Sequence, residues 1–279
     1  MSSTNSKRRY FMRYIVDNDL HIHSKLSLCS GDHPGQTPEN ILAYGEKNDY
    51  KTICLTDHMW DPKVPKLSTG WASPWYETQS YEYTKRSLPL PKSDKVDFLF
   101  GAETDLDMKG DIGVSRETID ELDFVIISTT HMHMDGYVVR GDETTEERAR
   151  LWVKHIDTLL AMDLPFHKIG LAHMTCGLIN RGHLIETLSL IDESEYRRVF
   201  KKAAECGIGI ELNFNPREFT GEDLEIQLKP YRIAKQEGCK FYFGSDAHTP
   251  DGFIGKKEDF ELIVDLLGLE ESDKFHVGK

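Results

Sequence analysis

The sequence predicts an α/β protein, a closed barrel of seven βα units in one domain covering residues 1–279. Three observations carry that expectation. Short apolar runs rich in β-branched and aromatic residues alternate with longer amphipathic stretches, which implies parallel βαβ units with right-handed connections. No repeat, low-complexity tract or shift of composition marks a linker between two folding units. Each apolar run also ends in a residue able to ionise or to bind a metal, and α/β barrels assemble their sites at that edge.

The elements follow in order. The first strand is YIVDNDLHI (14–22), and PENILAYGEKN (38–48) is the helix after it. On an extended chain His21 and His23 project to one side, with Leu20 and Ile22 on the other. KTICLT (51–56) is the second strand, followed by an irregular stretch, 57–80, rich in Pro, Gly, Ser and Trp. A long loop there suits a lid or a site wall. Trp60, Trp71 and Trp75 would line that wall or form a separate hydrophobic cluster. The remaining strands are DFLFGAE (97–103), DFVIIST (123–129), KIGLAH (168–173), GIGIELN (207–213) and KFYFGS (240–245). Helical patterns over 144–163, 192–207 and 223–238 lie between them, several ending at Gly or Asn as helix C-termini do.

Composition narrows the function classes. The chain carries 47 acidic and 34 basic residues, a net charge of −13. That balance disfavours non-specific binding of long nucleic acid, which needs an excess of Lys and Arg. Five scattered cysteines without CxxC spacing suit a reducing, cytoplasmic compartment. The N-terminus has no apolar signal-peptide core, and no run reaches membrane-spanning length.

The polar residues at the strand ends form one constellation. Asp19, His21 and His23 close the first strand, Asp57 and His58 the second, and Glu103 the third. His131 and His133 follow the fourth, His173 ends the fifth, Glu211 and Asn213 the sixth, and Asp246 and His248 the seventh. Helix N-caps explain single aspartates, not the histidines. A buried group of imidazoles and carboxylates is costly without cations, so a metal cluster is the economical reading. Ligands of His, Asp and Glu without Cys suit Zn, Mn or Fe and exclude a Cys-rich structural zinc.

The ordered motifs DLHIHS, TDH, GAE, the histidine after strand four, LAH and GSDAH resemble those of the PHP (polymerase and histidinol phosphatase) family, from about residue 17 to 250. The resemblance implies a distorted (β/α)7 barrel, two or three divalent metal ions and cleavage of phosphate esters. It places a first metal on His21, His23, Glu103 and Asp246, with Glu103 bridging to a second metal on His131 and His173. His133 is the alternative to His131. A third metal would take His58, His248 and a residue of the loop KLSLCSGDHPG. His33 is the candidate there, with Asp32 beside it, although it lies further along than the family spacing. Asp19 and Asp57 would orient imidazoles from behind rather than bind metal.

The chemistry then runs through Glu103, Asp246 and His248. Two cations sharing a carboxylate lower the pKa of a bridging water, and the resulting hydroxide attacks phosphorus. The expectation is a phosphatase on a small phosphomonoester, with histidinol phosphate the first substrate to test. The alternatives are a phosphodiesterase or exonuclease on nucleotides or short oligonucleotides, and a non-catalytic metal-binding interaction domain. Arg140, Arg181 and Arg217 each follow a strand within loop reach. One of them could hold the substrate phosphate bidentately, although exposed surface positions are the plain reading of each.

Overall fold

Every apolar run named above becomes a strand. The computed structural model describes residues 12–64 and 78–278. Its strands are β1 (Asn18–Ile22), β2 (Thr52–Leu55), β3 (Asp97–Asp105), β4 (Phe124–Ser128), β5 (Ile169–Leu171), β6 (Gly209–Leu212) and β7 (Lys240–Phe243). They form one parallel seven-stranded sheet in sequential order. Strands this apolar are covered on both faces, as a parallel sheet requires. β1 and β7 meet through an Ile22–Ala247 bridge, and the Asp246 N–H donates to the His21 carbonyl at 2.8 Å. The Asn18 side chain accepts from the Phe243 N–H at 2.9 Å, which closes the barrel lower down.

Helices fill the connections. α1 (Pro38–Lys47) follows β1, α2 (Tyr81–Thr84) precedes β3 and α3 (Arg116–Glu121) follows it. α4 (Thr145–Leu159) follows β4, α5 (Leu184–Ser189) and α6 (Glu193–Cys206) follow β5, α7 (Gly221–Gln236) follows β6, and α8 (Lys256–Leu267) follows β7. Local sequence sets their ends. The Thr37 side chain accepts from Asn40 N–H, with Pro38 in the first turn of α1. Thr144 and Glu147 form a reciprocal capping box on α4. Gly207 ends α6 in the left-handed region, at φ 77°.

The hydrophobic interior divides in two. The larger core packs the outer faces of the strands (Ile53, Val125, Ile127, Ile210 and Phe243 among them) against the helices. A smaller cluster of Leu20, Cys54, Phe124, Ile126, Ala172, Tyr242 and Phe275 fills the barrel. Phe275 comes from the C-terminal segment, which pairs with Phe241 and plugs the barrel there. Strict alternation fails in β1. Leu20 belongs to the inner cluster and Ile22 to the outer core, because the register shifts between Asp19 and Ile22. A bulge there lets both neighbours of His21 be buried on different sides. Trp71 and Trp75 lie outside the described residues. Trp60 is fully buried and donates to the Tyr137 hydroxyl at 2.9 Å. No helix among the described residues is long and apolar enough to cross a membrane.

Trp152 of α4 joins packing to the site. It is fully buried, packs edge-on to Tyr196 and donates its indole N–H to the Met174 carbonyl at 2.9 Å, next to His173. Trp152→Ala should cost about 3–5 kcal/mol of stability, read as a lower midpoint of urea unfolding followed by circular dichroism. A loss below 1 kcal/mol would mean that α4 does not anchor the β5 loop.

Candidate metal centre

Glu103 stands at the centre of the strand ends. It is almost completely buried, at 1% exposure. Its two oxygens face different partners. Oε2 lies 3.2 Å from His21 Nε2, 3.3 Å from His23 Nε2 and 3.0 Å from His58 Nδ1. Oε1 lies 3.1 Å from His173 Nε2 and 3.9 Å from His131 Nε2. Asp246 Oδ1 adds 3.4 Å and 3.0 Å approaches to His21 and His23. The ligand atoms of His21, His23, Glu103 and Asp246 lie within 4.8 Å of one another, as do those of Glu103, His131 and His173, and those of His23, His58 and His248.

Several of these contacts lack the alignment of a hydrogen bond. Glu103 Oε2, Asp246 Oδ1 and His248 Nε2 are buried atoms without a hydrogen-bond partner. His21 Nε2 and His23 Nε2 face each other at 3.0 Å, so at most one carries a proton between them. Lone pairs converging in this way fit divalent cations. Bound there, such ions would act as Lewis acids, lowering the pKa of water and offsetting charge on a substrate oxygen.

Protons answer the same field. Burial drives the imidazoles of His21, His58 and His173 toward neutrality. Nearby groups outweigh it (Glu211, Glu103 and Asp246 around His21; Glu103 foremost at His58; Cys176 and Glu103 at His173) and hold their pKa values well above the ordinary one. Burial opposes ionisation of Glu103 too, yet His58 and His21 keep it well below the usual carboxylate range. Negative charge gathered here is stable only with cations of some kind beside it.

Two carboxylates orient the imidazoles from behind, and they are not the two expected. Glu211 Oε1 accepts from His21 Nδ1 at 2.6 Å, and its Oε2 accepts the backbone N–H of His173 at 2.6 Å. Asp105 Oδ1 lies 2.7 Å from His131 Nδ1, and Thr130 Oγ1 2.9 Å from His173 Nδ1. Asp19 instead ties strands and helix together. It accepts from Ser245 N–H at 2.9 Å and from Tyr44 hydroxyl at 2.9 Å, and burial pushes its pKa up to about 6. Asp57 accepts from both Ser24 N–H and Ser24 hydroxyl at 2.6 Å. Gly244 makes room for the Glu211–His21 pair, since a Cβ there would lie 2.0 Å from Glu211 Oε1. His173 and Asp246 both hold positive φ, 22° and 52°, a strained region for residues with a Cβ and one that recurs at functional sites.

The PHP domain model matches residues 19–215. The chain belongs to the PHP domain family. Among solved structures it is similar to histidinol phosphate phosphatase from Lactococcus lactis subsp. lactis Il1403, solved with zinc, L-histidinol and phosphate. The identity is 16% and the TM-score 0.54, over 94% of this chain and 99% of that one. A probable 2-pyrone-4,6-dicarboxylic acid hydrolase from Acinetobacter baumannii is a more distant likeness, at 13% identity and TM-score 0.43 over 90% of this chain and 93% of that one. No curated protein sequence matches. PHP membership and the His, Glu and Asp clusters together make the protein a metal-dependent hydrolase.

Within this PHP barrel the other expected residues separate. His33 stays outside the clusters: it is exposed, and its Nδ1 accepts from Gly35 N–H at 3.1 Å. Asp32 is exposed beside it. His131, not His133, joins Glu103 and His173, while His133 lines the adjoining cavity. Burial, His131 and Arg181 push the pKa of His133 down to about 4, so it is neutral at physiological pH. Arg140 is paired with Asp142, Glu143 and Glu147, and Arg217 with Asp259, both on the surface. Arg181 is the one of the three whose charge bears on the cavity. Asp105 was missed in sequence. It lies two residues past Glu103 on β3, at the same i, i+2 spacing that singled out His21 and His23.

Glu211→Gln should weaken zinc binding roughly tenfold to a hundredfold, as loss of an imidazole-orienting carboxylate does. Calorimetric titration of the metal-free protein reads it, with His33→Ala as the variant that leaves affinity unchanged. Equal affinity in Glu211→Gln would remove Glu211 from the site. The raised imidazole pKa values set a pH dependence as well. Zinc has to displace protons that persist above the ordinary value of about 6.5, so binding should acidify a weakly buffered solution and tighten as the pH rises. An affinity independent of pH between 6 and 8 would show that these imidazoles are not the ligands.

Proposed function

We propose that the protein is a phosphatase acting on a small phosphomonoester, with histidinol phosphate the first substrate to test. The observation that carries this reading is the division of Glu103, one oxygen toward His21, His23 and His58 and the other toward His131 and His173. A carboxylate so placed suits a bridge between two cations in a PHP barrel. On this reading His21, His23, Glu103 and Asp246 would hold one ion, Glu103, His131 and His173 a second, and His58 and His248 would take part in a third. Zn, Mn or Fe would serve.

The chain's own groups divide the remaining work. Glu103, Asp246 and His248 face the cavity and would touch the reacting phosphoryl group or its ions. The cavity holds ≈270 Å³ and is lined by Met134 and Leu178 as well as by the polar groups, which suits a small ester over a polymer. His133 offers a neutral ring at its wall, and Arg181 adds positive charge nearby for a phosphate. Five free thiols accord with a cytoplasmic setting.

The test is a panel of phosphomonoesters and diesters with metal-reconstituted protein. Monoester turnover should exceed diester turnover and vanish after chelation. Glu103→Gln keeps the shape and removes the bridging charge, so turnover should fall at least about a hundredfold, with metal content falling alongside. A Gln variant that keeps its metal and rate, or a preference for diesters, would overturn the reading.

A further inference from the structure

We propose that Arg148 of α4 is a positioning residue of the metal centre, whose guanidinium holds together the two loops that carry His131 and His173. The proposal rests on the metal-dependent reading above. It assigns no ligand, and concerns what keeps two ligands from separate strands in place.

The half-buried guanidinium stands where both loops meet. Arg148 Nη1 donates to the Met132 carbonyl at 2.7 Å and to the Ile179 carbonyl at 2.8 Å. Met132 lies between His131 and His133 in the segment after β4. Ile179 follows Leu178 in the segment after β5, and both His133 and Leu178 line the cavity. One nitrogen therefore joins the two walls through their backbones. Arg140, Arg197 and Arg217 pair with carboxylates, whereas Arg148 gives its N–H groups to two carbonyl oxygens. Hydrogen bonds from a charged donor are stronger than those between neutral groups.

Backbone turns carry that hold back to the ligands. Cys176 N–H donates to the His173 carbonyl at 3.1 Å, and Ile179 N–H to the Cys176 carbonyl at 3.3 Å. Three successive hydrogen bonds thus run from Arg148 to His173. On the other loop Met134 N–H donates to the His131 carbonyl at 3.1 Å, closing a turn around Met132.

The helix that bears Arg148 is itself fixed against both loops. The Thr144–Glu147 capping box sets its first turn, and Asn180 Nδ2 donates to Thr145 Oγ1 at 3.2 Å. Positions 148, 152 and 155 share one helix face, at i, i+4 and i+7. Trp152 donates to the Met174 carbonyl, and His155 Nδ1 lies 3.2 Å from the Thr129 carbonyl. Trp152 and His155 each hold one loop, and Arg148 holds both. Without Arg148 the ion on Glu103, His131 and His173 would have to order the two loops as it binds. That ordering would be subtracted from its affinity.

The experiment is calorimetric zinc titration of the metal-free full chain. Arg148→Met keeps an apolar stem and removes the donors. One class of zinc site should then bind roughly tenfold more weakly, as loss of a group supporting a ligand does. Arg148→Lys should recover most of that affinity, because a single ammonium nitrogen can donate to both carbonyls. Arg148→Gln, too short to reach both, replaces the Met variant should that one fail to fold. Ile156→Val, a buried packing change on the same helix, should lower the midpoint of urea unfolding and leave zinc binding unchanged. In a His131→Ala background the affected class is already lost, so Arg148→Met should not weaken the remaining zinc. Unchanged zinc affinity in Arg148→Met, or an equal loss in Ile156→Val or in the His131→Ala background, overturns the proposal. Ester hydrolysis on the same samples separates the two readings. Weaker zinc in Arg148→Met with no hydrolysis by the parent protein keeps Arg148 and removes the phosphatase. Hydrolysis by the parent with unchanged zinc affinity in Arg148→Met does the reverse.

Discussion

The buried carboxylate of Glu103 is the constraint from which the rest of this barrel can be understood. Five imidazoles (His21, His23, His58, His131 and His173) approach within 3.9 Å of its two oxygens. A charged group that far from solvent is stable only when compensated on all sides, and removing any partner leaves an unpaired charge in a low-dielectric region. The compensating imidazoles come from β1 and from the segments just past β2, β4 and β5, and the segment after β7 sets Asp246 against His21 and His23. Only a sheet that curls until β1 touches β7 brings those ends together. Closure of the barrel and neutralisation of Glu103 are therefore one requirement seen at two scales.

Around that centre the carboxylates serve two purposes. Glu211 and Asp105 take the far nitrogens of His21 and His131, which turns the near nitrogens toward Glu103. Asp19 and Asp57 take no imidazole. They accept from backbone N–H groups and hydroxyls, joining β1 to the segments after β7 and β2. The first pair sets which atom each ring presents, and the second sets where each ring stands. Gly244 belongs to the same arrangement through its missing Cβ, without which Glu211 could not reach His21. Below this polar layer, Phe124, Ile126, Tyr242 and Phe275 close the barrel with apolar bulk, so the ionisable groups open toward solvent at one end only.

The sequence by itself determined the fold and the cluster around Glu103. Seven strands, their order and the strand-end position of each ligand-type residue follow from local patterns, because side-chain alternation and helix periodicity are properties of a few consecutive residues. The glutamate on β3 and the histidines after β1, β2, β4 and β5 were all legible in this way. What only the tertiary structure decided was the partner of each group. Asp19 and Asp57 look like imidazole supports because they precede histidines, yet the far nitrogens of His21 and His131 are met by carboxylates from other strands. The supports are thus Glu211, from β6, and Asp105, at the end of β3. His33 matches the required residue type, but the loop path leaves it exposed, outside the ligand clusters. Likewise Arg140 and Arg217 sit in suitable loops and spend their charge on Asp142 and Asp259. Residue type and strand end are written locally, whereas pairing across strands depends on register, twist and loop path, which exist only once the barrel has closed.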